Sequence, residues 1–220
     1  MTNELAVTYE SGGESLTVTE SDVKNVLGAP TATEAEIRMF LELCKAQSLN
    51  PFIKEAYIVK YGQNPATLVV GKDVFTKRAQ NNPKFKGFRA GITFVNQLGQ
   101  LERREGSMLL PGEAILGGWC AVYLDGYEVP MKDEVSFTEY AGKRKDGSLN
   151  QTWSNKPATM IRKVAIVHAL REAFPDDFQG LYDEAEMGNL EPEKPEVIEA
   201  RIPVYEEQEV PSCEEEWEAF

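Results

Sequence analysis

The sequence predicts an α+β fold: a single core domain in which a β-hairpin and a β-meander are flanked by helices, followed by a disordered acidic C-terminal tail. Three observations carry this expectation. Apolar residues recur at helical spacing after residue 33 and again after residue 156. Between these stretches, short runs of period-two alternation are separated by Gly-containing turns. Beyond Gly188 the chain becomes Glu-rich, is interrupted by Pro192, Pro195, Pro203 and Pro211, and holds few apolar residues, the composition of a segment that cannot bury a core. With 220 residues, 42% of them hydrophobic, the chain supports one good core. The expected organisation is a mobile N-terminal segment over 1–18, a core over 19–187 and the tail over 188–220.

The first 18 residues are polar and rich in Gly and Ser, with no sustained period, hence the mobile segment. Thr33 and Glu36 then form a capping box, and Ile37, Phe40, Leu41 and Cys44 fall at i, i+3, i+4 and i+7 of an amphipathic helix. Pro51 biases Asn50 away from helical geometry, which stops that helix near Leu49. Tyr57, Val59 and Tyr61 alternate with polar or small residues, residues 67–70 are β-branched or apolar, and residues 62–65 supply turn chemistry, so a hairpin is expected. Residues 72–81 form a short helix with Val74 and Phe75 inward. Strands follow over 88–95, 101–104, 118–124 and 128–137, with turns at 96–99 and at Asp125-Gly126. Residues 141–152 form a polar, basic loop, and Asn155 caps a helix that starts at Lys156-Pro157 and runs to about Phe174.

No run of about 18 apolar residues occurs, and the N-terminus has neither the basic region nor the apolar stretch of a signal peptide, so a cytosolic protein is expected. Cys44, Cys120 and Cys213 form no CxxC pair and suggest neither a disulfide framework nor a zinc site; the first two read as core residues. The Gly71-Lys72 pair after an apolar strand fails as a phosphate-binding loop, because Gly62 lies too far upstream and Asp73 replaces the metal-binding Ser or Thr. GxGxxG, GxSxG and HExxH are absent. His168, the single histidine, lies in an apolar helix and reads as a core or surface residue rather than a general base. Carboxylates cluster mainly in the tail, which does not hold a fixed metal geometry. The sequence offers no catalytic constellation.

The net charge of −13 at first opposes a polyanionic ligand. Its distribution reverses that inference. Residues 181–220 hold 14 acidic groups against Lys194 and Arg201, whereas residues 31–175 hold 20 basic against 15 acidic groups. Eight cations, including Lys72, Arg78, Arg89 and Arg103, lie between residues 72 and 104; seven (Lys143, Arg144, Lys145, Lys156, Arg162, Lys163 and Arg171) lie between 143 and 171. Cations in the first turns of the helix from Lys156 oppose its macrodipole, and a bound phosphate would reconcile the two. Arg171 projects from an otherwise apolar side near Met160, Val164 and Val167, so it is either paired or lines a groove. Trp153, in the basic loop, and Phe75, Phe85 and Phe88, interleaved with the first basic segment, supply aromatic faces; core packing is the preferred reading for Phe75 and Phe88.

The segments LNPFIKEAY (49–57), PATLVVGKDVFTKRA (65–79) and WSNKPATMIRKVAIVHALREAFPDDFQGLYDEAEM (153–187) resemble the RecT/Redβ family of phage single-strand annealing proteins, over roughly residues 31–187. The resemblance implies binding of single-stranded and annealed duplex DNA, pairing of complementary strands in homologous recombination with no ATP or other cofactor, and no enzymatic activity. It also implies a homo-oligomer, ring or helical filament, that acts in the host bacterial cytosol with a phage exonuclease and host single-strand DNA-binding protein as partners, and no membrane. By position it implies DNA-binding roles for Lys72, Arg78, Trp153, Arg162, Lys163 and Arg171; Lys143 in the basic loop and Asn155 and Lys156 at the helix start are expected to bind DNA on the grounds of charge and helix-start chemistry given above. The closing EEEWEAF resembles the acidic, aromatic-ended tips of bacterial single-strand DNA-binding proteins; it would compete with DNA, dock a partner or serve as a solubilising spacer. The alternatives to annealing are a non-annealing single-strand binding or recombination-mediator protein and, less supported, a DNA-processing enzyme.

Overall fold

The computed structural model describes residues 4–60, 65–144, 146–183, 185 and 186. The acidic tail over 188–220, residues 62–64 of the turn expected over 62–65, Tyr61, Lys145 and Cys213 lie outside the described residues.

The N-terminal expectation is corrected. Strands β1 (Ala6–Ser11) and β2 (Glu14–Thr19) pair antiparallel, with Val7 opposite Val18 and Tyr9 opposite Leu16. Gly12 and Gly13 turn the chain at φ values of +64° and +88°, a pair of left-handed residues suited to a tight hairpin. Tyr9 and Val18 point into the core, and the Tyr9 hydroxyl donates to the Leu49 carbonyl at 2.6 Å, tying the hairpin to the chain beyond the first helix. The polarity that suggested mobility belongs to the outward half of a two-stranded ribbon.

Helix α1 (Glu34–Ala46) carries the expected capping box: Glu36 N donates to Thr33 Oγ1, and Thr33 N donates to the Glu36 carboxylate. Ile37, Phe40, Leu41 and Cys44 are its buried stripe. Glu36 also accepts from Lys60 Nζ at 2.8 Å and from the Ala66 amide. The Lys60 hydrogen bond foremost holds its carboxyl down to about 2, so one side chain joins the helix start to the second hairpin, β3 (Ala56–Val59) and β4 (Thr67–Val70). Helix α2 spans Lys72–Asn81 with Val74 and Phe75 buried, as the sequence predicts.

The four following strands are β5 (Phe85–Val95), β6 (Leu101–Glu105), β7 (Ala114–Leu124) and β8 (Met131–Ser136). They form one antiparallel sheet in the order β6-β5-β7-β8: β7 returns to the free side of β5 instead of adding to β6. Alternation divides the sheet into two faces. Ala90, Ile92, Cys120, Val122 and Val135 line the inner one and are buried. Across it lies α5 (Pro157–Ala173), whose buried residues, Ile161, Val164, Ala165, Ile166, Val167, Ala169 and Leu170 among them, surround most of its circumference. A helix apolar on so many sides belongs inside a layered core; α5 packs on β7, β8 and β5 on one side and on α2 on another. Gly118 makes the seat, since a Cβ there would stand 2.5 Å from the Ile161 carbonyl oxygen.

Residues 137–156 differ from the expected loop. A short helix α3 (Phe137–Tyr140) follows β8, an isolated bridge joins Lys143 to Leu149, and helix α4 (Gln151–Asn155) precedes α5. Asn155 ends α4 and does not cap α5, which has no side-chain cap; the asparagine that caps is Asn150, at the start of α4, whose Oδ1 accepts from Trp153 N at 3.0 Å.

Candidate nucleic-acid interface

The start of α5 offers the exposed cationic surface. Lys143 and Arg144 are exposed on a small loop whose base is closed by Asn150 N donating to the Gly142 carbonyl at 2.8 Å. Asp146 folds the loop tip by accepting from the amide and hydroxyl of Ser148. Five residues of α4 then deliver Asn155 and Lys156, both exposed, to the first residue of α5. Helix α5 has no side-chain cap and no acidic residue in its first turn, so its N-terminal partial positive charge has no carboxylate partner. Asn155 and Lys156 therefore lie at a helix start suited to a phosphate, and Lys143 and Arg144 add exposed cations on the loop that precedes α4.

Trp153 is corrected as a stacking platform. It is 2% exposed and meets Phe137 edge-on with ring centroids 5.6 Å apart. Its indole braces α4 against α3 and thereby positions Asn155 and Lys156; its face is not open to a base. Phe75 is wholly buried, and Phe85 and Phe88 pack on the core as partly buried residues.

Arg78, Lys72, Arg162, Lys163 and Arg171 each make contacts within the fold. Arg78 donates to Gln47 Oε1 at 2.7 Å, to the Gln47 carbonyl and to the Asp177 carbonyl at 2.9 Å, clamping α2 to the end of α1 and to the chain after α5. Burial lowers the pKa of its guanidinium. Lys72 opens α2 with its ammonium 3.3 Å from Asp73. Arg162 turns toward the sheet, its Nε donating to the Ala90 carbonyl at 3.2 Å. Lys163 pairs at 2.8 Å with Asp183, a fully buried carboxylate whose pKa burial raises. Arg171 is the paired alternative of the two the sequence allows: it holds Glu186 at 2.6 Å and lies over the Tyr182 ring.

His168 completes this inner network. Its Nδ1 is 3.4 Å from Asp133, its Nε2 is 3.0 Å from Glu186, and its ring meets Tyr140 edge-on. Burial pushes the Glu186 carboxyl up, but hydrogen bonds from His168 and Arg171 outweigh it and leave the net shift downward. The Glu186 hydrogen bond raises the His168 pKa above the ordinary histidine value, against burial. Protonation of His168 therefore favours the fold. That contribution is complete below about pH 6.5 and is lost as pH rises through the elevated folded value. Thermal melting of wild type and His168→Gln over this range should show their stability gap narrowing on the alkaline side; a constant gap would contradict the pairing.

Among the described residues no group of three or more His, Cys, Asp or Glu is placed to hold a metal ion. Burial pushes the Cys44 and Cys120 thiols up to about 12, so neither is a thiolate nucleophile at neutral pH. No helix of the described residues is long and apolar enough to cross a membrane.

Comparison with known proteins gives two findings. The family model described as RecT family matches residues 14–198. The chain is also similar to the uncharacterized protein UU154 of Ureaplasma parvum serovar 3, with 29% identity over 171 residues that cover 74% of this chain and 68% of that protein.

Proposed function

The chain belongs to the RecT family, whose role in recombination is phage-type single-strand annealing, and from that premise we propose that it holds single-stranded DNA by its phosphates and pairs it with a complementary strand without ATP. The observation that carries this reading at the level of residues is the α5 start, where exposed Lys156 follows Asn155 at an N-terminus with neither a side-chain cap nor an acidic residue in its first turn, with exposed Lys143 and Arg144 on the loop before α4. Annealing requires one strand held by its backbone with base edges free, so contacts must be to phosphate and sequence-independent. Neutralising that strand lowers its repulsion toward the second, and base pairing supplies the driving free energy.

In this reading Lys143, Asn155 and Lys156 touch DNA directly. Lys72 lies at the margin, while Arg78, Trp153, Lys163 and Arg171 hold the frame, and Arg162 joins the contact only by leaving the Ala90 carbonyl. Assembly of many copies along the strand would align successive nucleotides. A phage exonuclease supplying the single strand and a host single-strand DNA-binding protein are the proposed partners in the bacterial cytosol. The acidic residues 188–220 are proposed to act outside the core as a competitor for the cationic surface or a partner dock.

Equilibrium binding of single-stranded oligonucleotides over a salt series tests this reading. Affinity should fall steeply, with log K losing about 0.7 per log salt unit for each phosphate neutralised, and unrelated sequences should bind alike. A flat salt response, or no binding at low salt, would overturn it.

A further inference from the structure

The face of the four-stranded sheet turned away from α5 carries a second surface that the cationic α5 start does not include. Side chains alternate, so Arg89 on β5, Trp119, Ala121 and Tyr123 on β7, Lys132 and Glu134 on β8, and Arg103 and Glu105 on β6 share this outer face. In register, Trp119 lies between Gly91 and Glu134, and Ala121 lies between Arg89 and Lys132. A Cβ at Gly91 would stand 2.8 Å from Trp119 Nε1, so the missing side chain is what lets the indole lie across the neighbouring strand. The result is a cleft of about 460 Å³ lined by Arg89, Arg103, Trp119, Tyr123, Lys132 and Glu134, a volume within the range of small-molecule and nucleotide sites.

Two features distinguish this cleft from a solvated sheet face. The polar edge of Trp119 is turned onto Gly91, its indole N–H buried there without a hydrogen-bond partner among the described residues, so what the residue lends to the cleft lining is apolar ring surface. Three cations face two carboxylates, and both carboxylates are spent on arginines: Arg89 on Glu105 at 2.8 Å, and Arg103 on Glu134, which also accepts the Thr93 hydroxyl. Lys132 is exposed and makes no ion pair among the described residues. Both arginine pairs are largely solvent-exposed, and such pairs hold their partners weakly, so a phosphate can replace either carboxylate.

We propose that this outer sheet face binds single-stranded nucleic acid, with a base lying against Trp119 and Tyr123 and the flanking phosphates reaching Arg89, Arg103 and Lys132. Aromatic side chains on an open antiparallel sheet stack bases without sequence preference, and nearby cations track the backbone. The positive excess selects a polyanion over an apolar peptide. The face contributes base stacking, whereas the α5 start contributes phosphate contact; the two surfaces share only the class of ligand.

The test uses the full chain and two probes of equal length, a thymidine oligomer and an abasic phosphodiester oligomer, read by fluorescence anisotropy. Wild type should prefer the thymidine oligomer. Trp119→Leu should weaken thymidine binding about fivefold to a hundredfold, erase the preference and leave the abasic affinity unchanged. Lys132→Ala should weaken both probes and lower the salt slope by about 0.7. A folded Trp119→Leu protein that keeps the full preference overturns the proposal. If Trp119→Leu does not fold, Tyr123→Ala and Lys132→Ala decide, and wild-type behaviour in both overturns it. A wild-type protein that binds neither probe at low salt overturns the proposed function as well, whereas loss of preference alone concerns only this face. Shielding of Trp119 from a soluble quencher in the DNA-free protein would mean that a second copy occupies the cleft, and would also overturn it.

Discussion

Gly118→Val is expected to destabilise the fold by about 3 kcal/mol or more, because the new Cβ would stand 2.5 Å from the Ile161 carbonyl oxygen and 3.1 Å from the Arg162 amide nitrogen. Both contacts are to backbone, so no side-chain rotamer relieves them; α5 must rise from β7 or the sheet must bend. Either response opens the layer that buries Ile161, Ala165 and Cys120 and shifts the α5 start that Lys156 borders. Urea denaturation measures the effect, and Gly126→Ala provides the comparison. Gly126 turns at φ +79° with nothing within 4 Å of a Cβ, so alanine there meets only backbone strain of about 1 to 2 kcal/mol. A Gly118→Val protein as stable as wild type would show that α5 does not sit on β7 at this point.

Reversing the charge at both Lys143 and Lys156 is expected to weaken single-stranded DNA binding about tenfold to a hundredfold at low salt, equally for unrelated sequences, and to lower the salt slope by about 0.7 for each phosphate that is no longer neutralised. Both side chains are exposed, and melting temperatures measured alongside separate lost binding from lost fold. Arg78→Ala should behave in the opposite way. Its guanidinium is committed to Gln47 and to the Asp177 carbonyl, so its removal should cost about 1.5 to 3 kcal/mol of stability and leave the DNA affinity of the folded fraction unchanged. If Arg78→Ala weakens DNA binding without a loss of stability while the double reversal has no effect, the cationic surface lies on α2 rather than at the start of α5.

Elements set by local rules were legible in the sequence. The Thr33/Glu36 box and the Ile37, Phe40, Leu41, Cys44 stripe define α1, α2 spans the expected residues with Val74 and Phe75 inward, and Pro157 marks the start of α5. What escaped depends on contacts between residues far apart in the chain. The first hairpin needs Leu49 to receive Tyr9, so its polar composition alone suggested mobility. Trp153 lies in a basic stretch, but Phe137 decides its burial. Asn155 falls inside the separate short helix α4, which Asn150 caps, so it cannot cap α5.

The cations show the same division. Seven basic residues between 143 and 171 are equivalent in a charge count, yet Asp183 and Glu186 neutralise Lys163 and Arg171 from just beyond α5. The sequence marked Arg171 as an anomaly without saying which of its two resolutions holds. The outer sheet face was legible in part: the period-two spacing of Trp119 and Tyr123 is plain, but their meeting with Arg89, Arg103 and Lys132 requires the order β6-β5-β7-β8, which no local signal sets.

The most direct measurement of the central claim mixes the protein with two complementary oligonucleotides in the absence of any nucleotide cofactor, and follows duplex formation by fluorescence and strand length on a denaturing gel. Duplex should form faster than in protein-free solution, with both strands full length and with no gain for a non-complementary pair. Binding of both strands without acceleration would make the protein a single-strand binder that does not anneal, and shortened strands would make it a DNA-processing enzyme; either result would contradict ATP-independent annealing as its function.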